Sequence, residues 1–173
     1  MLDQLPDFID PVVFAERQSH LVGRIGVQRF QRLADFLFNQ EGELNVDLQF
    51  YKEGKVPVIE GNIQGDLALV CQKCLQSLSL SVDKAVKIGM VQTIEQADRL
   101  EEGFEPMIVK GERILLAAIV EDEILLSLPD YPKHESQCIE YKVSEILADP
   151  EESKQESDNP FSVLAQLKNI GDQ

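Results

Sequence analysis

The chain has 173 residues, 43% hydrophobic and 27% charged, ordinary for one globular domain and enough to bury a core without disulfides or an obligatory metal. No stretch reaches 18 uninterrupted apolar residues, and MLDQLPDFIDPVVF lacks a basic region followed by an apolar one, so neither a membrane span nor a secretory signal is expected. A net charge of −15 works against non-specific nucleic-acid binding, and three cysteines do not make a disulfide framework; the expected compartment is the cytosol.

In chain order, Asp10-Pro11 is a helix start, because Asp caps and Pro is tolerated at the first helical position; a short helix over 12–18 is expected before Gly23 and Gly26. Val27, Phe30, Leu33, Ala34 and Leu37 have the spacing of one buried helical face, with Phe30 and Phe36 as core residues. The period then changes to two. Leu44, Val46, Leu48 and Phe50 alternate with polar residues as in a half-buried strand, and Lys52-Glu53-Gly54-Lys55 is a hairpin turn. A long strand is expected over 58–70, with Gly61 and Gly65 marking a bend or bulge. After Cys71-Gln-Lys-Cys74 the alternation resumes with Leu78, Leu80, Val82, Val86 and Ile88, so the motif sits at a strand-to-strand turn.

Residues 93–100 predict a short acidic helix and 106–110 a short strand. The apolar stripe over 114–128 predicts a helix that Pro129 ends, followed by a loop over 131–139 and one helical turn at 144–148. These elements make an α+β domain over 1–148: an antiparallel meander across about residues 43–110, packed by helices from both ends of the chain. Residues 149–158, DPEESKQESD, read as an acidic linker. Asn159-Pro160 then opens a C-terminal docking helix over 159–173, with Phe161, Leu164, Ala165 and Leu167 as its stripe, too short to hold alone in water.

Several segments together resemble one family. CQKCLQ at 71–76, FEPMIVKGERILLAAIVEDEILLSLP at 104–129 and NPFSVLAQLK at 159–168 stand in the order and spacing of the large ribosomal RNA subunit accumulation proteins (the YceD family), and DPVVFAERQ near the N-terminus also fits. The resemblance implies a role in promoting the synthesis, processing or stability of large-subunit ribosomal RNA, with no enzymatic activity assigned. Some relatives from other lineages carry extra cysteines after the long helix, where this chain has only Cys138, preceded by His134.

Cys71 and Cys74 have knuckle spacing, and a hairpin turn points two thiolates the same way, as zinc needs. His134-x-x-x-Cys138 has acceptable second-half spacing, so the four residues form a candidate Cys3His zinc site, which would be structural because four protein ligands leave no position for water. The alternatives are a pair of ordinary thiols or a redox pair, although a thioredoxin-like motif belongs at a helix N-terminus after a strand. Glu121-Asp122-Glu123 cannot converge on one substrate, since successive helical residues point about 100° apart; a solvated face or an ion pair with an arginine is expected. Walker, dinucleotide, Ser-His-Asp and His-Glu-x-x-His patterns are missing, and with only two histidines the usual general base is scarce.

Two non-catalytic modes remain. Arg17, Arg24, Arg29 and Arg32 stand among only two acids between residues 11 and 40 and, with Lys73, are the candidate phosphate contacts. Between residues 95 and 123 nine acids face three bases, and Glu101, Glu102 and Glu105 are the candidate contacts to a basic ribosomal protein or processing factor. A metal-dependent RNA hydrolase is the third reading and would need an open coordination position.

Overall fold

The computed structural model describes residues 5–109, 111 and 113–139, all within the first of the two units, Met1–Ile139, into which the chain divides. The turn expected at 144–148, the linker over 149–158 and the helix over 159–173 lie outside the described residues, as does Lys110 at the end of the expected strand. Among the described residues no helix is long and apolar enough to cross a membrane.

The architecture is α+β. Strand β1 (Phe8–Ile9) leads into helix α1 (Pro11–Glu16), which Asp10 caps by accepting from the backbone N–H groups of Val12 and Val13 at 3.0 and 3.1 Å. The expected helix over 12–18 therefore starts at Pro11 and is cut short, with Gln18 in a left-handed conformation at φ 50°. Strand β2 (His20–Gly26) follows, in a stretch where no strand is expected from the sequence. The single helix expected around 27–37 is instead two short 3-10 turns, Val27–Arg29 and Leu33–Phe36. Phe30, Leu33 and Leu37 still reach the core, but Phe36 is 47% exposed, which corrects its expected place there. Tertiary packing decides here: Phe38 N–H donates to the Ala68 carbonyl at 2.7 Å, and Leu37 bridges Leu69, drawing this segment flat across the sheet.

Strands β3 (Glu43–Glu53), β4 (Val56–Val70) and β5 (Ser77–Val91) form the antiparallel centre, in the spatial order β2-β3-β4-β5. Leu44, Val46, Leu48 and Phe50 are buried and the residues between them exposed, so β3 has the alternation read from the sequence. Gly61 is not a bulge. It pairs in register with Leu48 and Val86, and a Cβ there would lie 1.9 Å from the Asp47 carbonyl oxygen, so glycine lets two backbones approach.

The meander ends with β5. Helix α2 (Ile94–Ala97) carries the chain back, and β6 (Glu105–Ile108) joins β5 in parallel, so the five-stranded sheet is mixed rather than wholly antiparallel. Strand β7 (Ile114–Leu115) pairs with β1, taking the first two residues of the stretch expected to be helical, and helix α3 (Leu116–Ser127) covers the core. Leu116, Ile119, Val120 and Ile124 of α3 join the sheet's buried side chains in one cluster, each stabilising by roughly 1.5–3 kcal/mol.

The three acids of α3 diverge. Glu121 is buried and accepts from the backbone N–H groups of Arg32 and Leu33 and from the Arg32 guanidinium. Asp122 pairs with the same guanidinium, and Glu123 is buried with its Oε2 3.3 Å from Lys84 Nζ, an ion pair that lacks hydrogen-bond geometry. The arginine partner expected for this run is therefore Arg32, and a lysine completes it.

Candidate metal centre

The turn between β4 and β5 gathers the metal-ligating residue types. Cys71 closes β4 with its side chain buried; its N–H donates to the Gln76 carbonyl at 2.9 Å and its carbonyl accepts from Leu75 N–H at 2.8 Å. Leu75 is held at φ 60°, a left-handed conformation rare for a residue with a Cβ, and this folds the turn back so that Cys71 and Cys74 face the same side. The loop after α3 is tied over it: Gln72 N–H donates to the Pro132 carbonyl at 2.8 Å, and the Tyr131 hydroxyl reaches the Gln72 carbonyl at 3.4 Å.

These ties deliver His134 and Cys138. The ligand atoms of Cys71, Cys74, His134 and Cys138 all lie within 4.8 Å of one another. Cys71 Sγ is 4.0 Å from Cys138 Sγ, and Cys74 Sγ is 3.4 Å from His134 Nδ1. A tetrahedral zinc with Zn–S of about 2.3 Å and Zn–N of about 2.0 Å sets its sulfurs about 3.8 Å apart and sulfur and nitrogen about 3.5 Å apart. Those two separations match it. His134 Nε2 lies 3.0 Å from the Ser77 carbonyl, to which it donates when Nδ1 is left unprotonated, and that bond fixes the tautomer and the ring's aim.

The electrostatics suit a thiolate. Burial works to raise the Cys71 thiol, but the backbone N–H groups of Cys74, His134 and Lys73 point at its sulfur, aided by the Cys74 side chain, and hold it down at about 6. Burial pushes Cys138 up, and the neighbouring sulfurs of Cys74 and Cys71 add to that. A divalent cation at the centre would relieve this crowding. The orienting Ser77 carbonyl and the backbone N–H groups around Cys71 have no signature in the sequence, because backbone atoms are the same at every residue.

The other candidate residues do not converge. Arg24 pairs with Glu43 at 3.0 Å across β2 and β3, Arg29 with Asp7, and Arg32 with Glu121 and Asp122. Arg17 is exposed at the end of α1 and makes no ion pair among the described residues, while Lys73 sits in the cysteine turn. Glu101 and Glu102 are exposed ahead of β6, and Glu105 lies 3.1 Å from Lys84 Nζ.

The profile of the family described as large ribosomal RNA subunit accumulation protein YceD matches residues 59–168, an interval that holds all four cluster residues. A Haemophilus influenzae protein named large ribosomal RNA subunit accumulation protein YceD is 35% identical over 170 residues, covering 95% of this chain and 97% of its own length. No solved structure matches the chain. A match that spans the cysteine turn, the parallel strand and the acidic helix in one register has a single reading: the chain belongs to the YceD family.

Proposed function

We propose that this protein promotes the accumulation of large-subunit ribosomal RNA in the cytosol without catalysing a reaction, and that Cys71, Cys74, His134 and Cys138 hold a structural zinc. The observation that carries the rRNA role is the near full-length likeness to the Haemophilus protein of that name. The zinc reading rests on ligand atoms within 4.8 Å of one another and on the Ser77 carbonyl behind His134. Bound there, zinc would pin the loop after α3 to the β4–β5 turn, joining segments about sixty residues apart as a crosslink does. Purified protein is expected to carry about one zinc per chain. Cys74→Ser should lose the metal and leave the loop open to proteolysis; full-length protein that binds no zinc at any thiol-reducing condition ends this part of the reading.

The protein acts on rRNA through a basic protein partner held on its acidic side. Three of the four candidate arginines are already engaged by carboxylates, and phosphate contacts would have to break those pairs on a chain of net charge −15. Glu101 and Glu102 are exposed and make no ion pair among the described residues, so they would be free to meet a cationic surface, with Glu105, which Lys84 already engages, near them on the edge strand. A pull-down of tagged protein from growing cells, with and without ribonuclease, separates the two modes. The adaptor mode predicts a basic ribosomal protein or processing factor that stays bound after nuclease and is weakened when Glu101, Glu102 and Glu105 become glutamine. Direct binding predicts precursor rRNA whose retention falls with Arg29→Glu and Arg32→Glu and is steeply salt-dependent.

A further inference from the structure

We infer that the cavity at the opposite end of the β4–β5 hairpin from the cysteine cluster is a docking site for an acidic polypeptide segment bearing a bulky apolar side chain. Each strand of that hairpin has 15 residues, which puts the two features about 45 Å apart. The cavity has a volume of about 620 Å³ and forms where the start of α1, the β3–β4 turn, the last residues of β5 and the chain just beyond α2 meet.

Its floor is aliphatic, with Val56, Met90 and Leu100, and its rim carries Lys52, Lys55 and Arg99. Among the described residues no Asp or Glu lines it, although acids outnumber bases 31 to 16 along the chain; Glu53 and Glu101 line only the smaller depression beside it, which shares Val56, Arg99 and Leu100. Lys52 is paired with Glu16 at 2.7 Å, but neither Lys55 nor Arg99 makes an ion pair among the described residues, unlike Arg24, Arg29 and Arg32. A cationic rim on an anionic molecule sets the charge of the occupant, and an aliphatic floor sets its other half, since apolar anchors in a desolvated pocket carry most of the energy of peptide docking. Among the described residues no aromatic ring lines the cavity to receive an unstacked base, which favours polypeptide over RNA. The proposal stands independently of the zinc and of the rRNA partner argued above.

The test is to pan a random peptide display library on the full-length protein and to measure the recovered peptides by fluorescence anisotropy. The expected peptides place Asp or Glu on either side of Leu, Ile or Phe. They bind about tenfold or more weakly to a Lys55→Glu, Arg99→Glu double variant, and they shift the Met90 methyl resonance of the wild-type protein. Both substituted residues are exposed, so the double variant is expected to keep the wild-type circular dichroism spectrum; were it to unfold, the Met90 shift alone decides. Failure to enrich any acidic sequence, or enrichment of peptides that leave Met90 unmoved, overturns the proposal. A labelled oligouridine that binds in their place and is lost in the double variant overturns it in favour of an RNA surface.

Discussion

Removing the Glu121 carboxylate is expected to cost this protein about 3–6 kcal/mol. Glu121 is 6% exposed and accepts from Arg32 N–H at 2.6 Å, Leu33 N–H at 3.0 Å and the Arg32 guanidinium at 3.0 and 3.1 Å. In Glu121→Ala the buried Leu33 donor loses its acceptor, worth about 1–3 kcal/mol, and the partly buried Arg32 N–H adds about 1 kcal/mol. The guanidinium is half-exposed, so losing it from the pair contributes less than about 1 kcal/mol, and the lost methylene packing adds about 1 kcal/mol. Glu121→Gln keeps an acceptor oxygen for both N–H groups and is expected to cost only about 1–1.5 kcal/mol. Urea unfolding at neutral pH reads both from the shift in midpoint at constant slope.

The pH profile adds a signed check. Burial works to raise the Glu121 carboxyl, but Leu33 N–H and the Arg32 side chain and N–H outweigh it and hold it below its ordinary value of 4.5. A lowered folded-state value means the contribution is present above the ordinary range and lost as pH falls through the folded value, so wild type and Glu121→Gln converge in acid. An alanine variant within about 1 kcal/mol of wild type would refute the claim that this carboxylate fastens the 3-10 segment to α3.

Further outcomes follow from the same packing. Gly61→Ala would place a Cβ 1.9 Å from the Asp47 carbonyl oxygen, so β3 and β4 must part; a loss of about 2–4 kcal/mol is expected in thermal or urea unfolding. Burial, and then the charge of Glu105, raises the Glu123 carboxyl against the pull of Lys84. Lys84→Met should therefore cost about 2–3 kcal/mol at neutral pH, with Glu123→Gln in the same background restoring most of it. Because Glu123 is raised, the stability lost by Lys84→Met should return as pH falls through the folded value, the reverse of the Glu121 profile. In the metal-bound protein Cys138→Ser should weaken zinc retention against a chelator while leaving the sheet's circular dichroism intact, since Cys138 lies in a loop outside the core cluster.

What was legible in the sequence follows the range of the forces involved. The alternation of Leu44, Val46, Leu48 and Phe50 is local and set by one buried face, so β3 reads directly. The cysteine turn reads as well, because alternation stops at Val70 and resumes after it, and the four candidate ligands are brought together. Phe30, Leu33 and Leu37 fit a helical face and two 3-10 turns equally, and only the contact with β4 at Leu69 chooses between them. Strand β2 is hidden because it buries little beyond Ile25 and carries Gly23 in its middle. The partners of the arginines stand 19 to 90 residues away, beyond any local pattern, which is why the basic stretch reads as open surface when most of it is paired.

The pairing of Phe8 with Leu115, and of Arg32 with acids on α3, has a consequence for synthesis. A ribosome delivers the chain from the N-terminus, and β2 to β5 can zip by neighbouring hairpins as they emerge. Helix α3 and the loop that follows it are the last parts of the folded unit to arrive. Until Leu116 to Ile124 leave the exit tunnel, β5 lacks the helix that packs on it, and β1 has no strand to join. Nascent chains stalled short of α3 should be chaperone clients, and truncations before residue 116 should be insoluble.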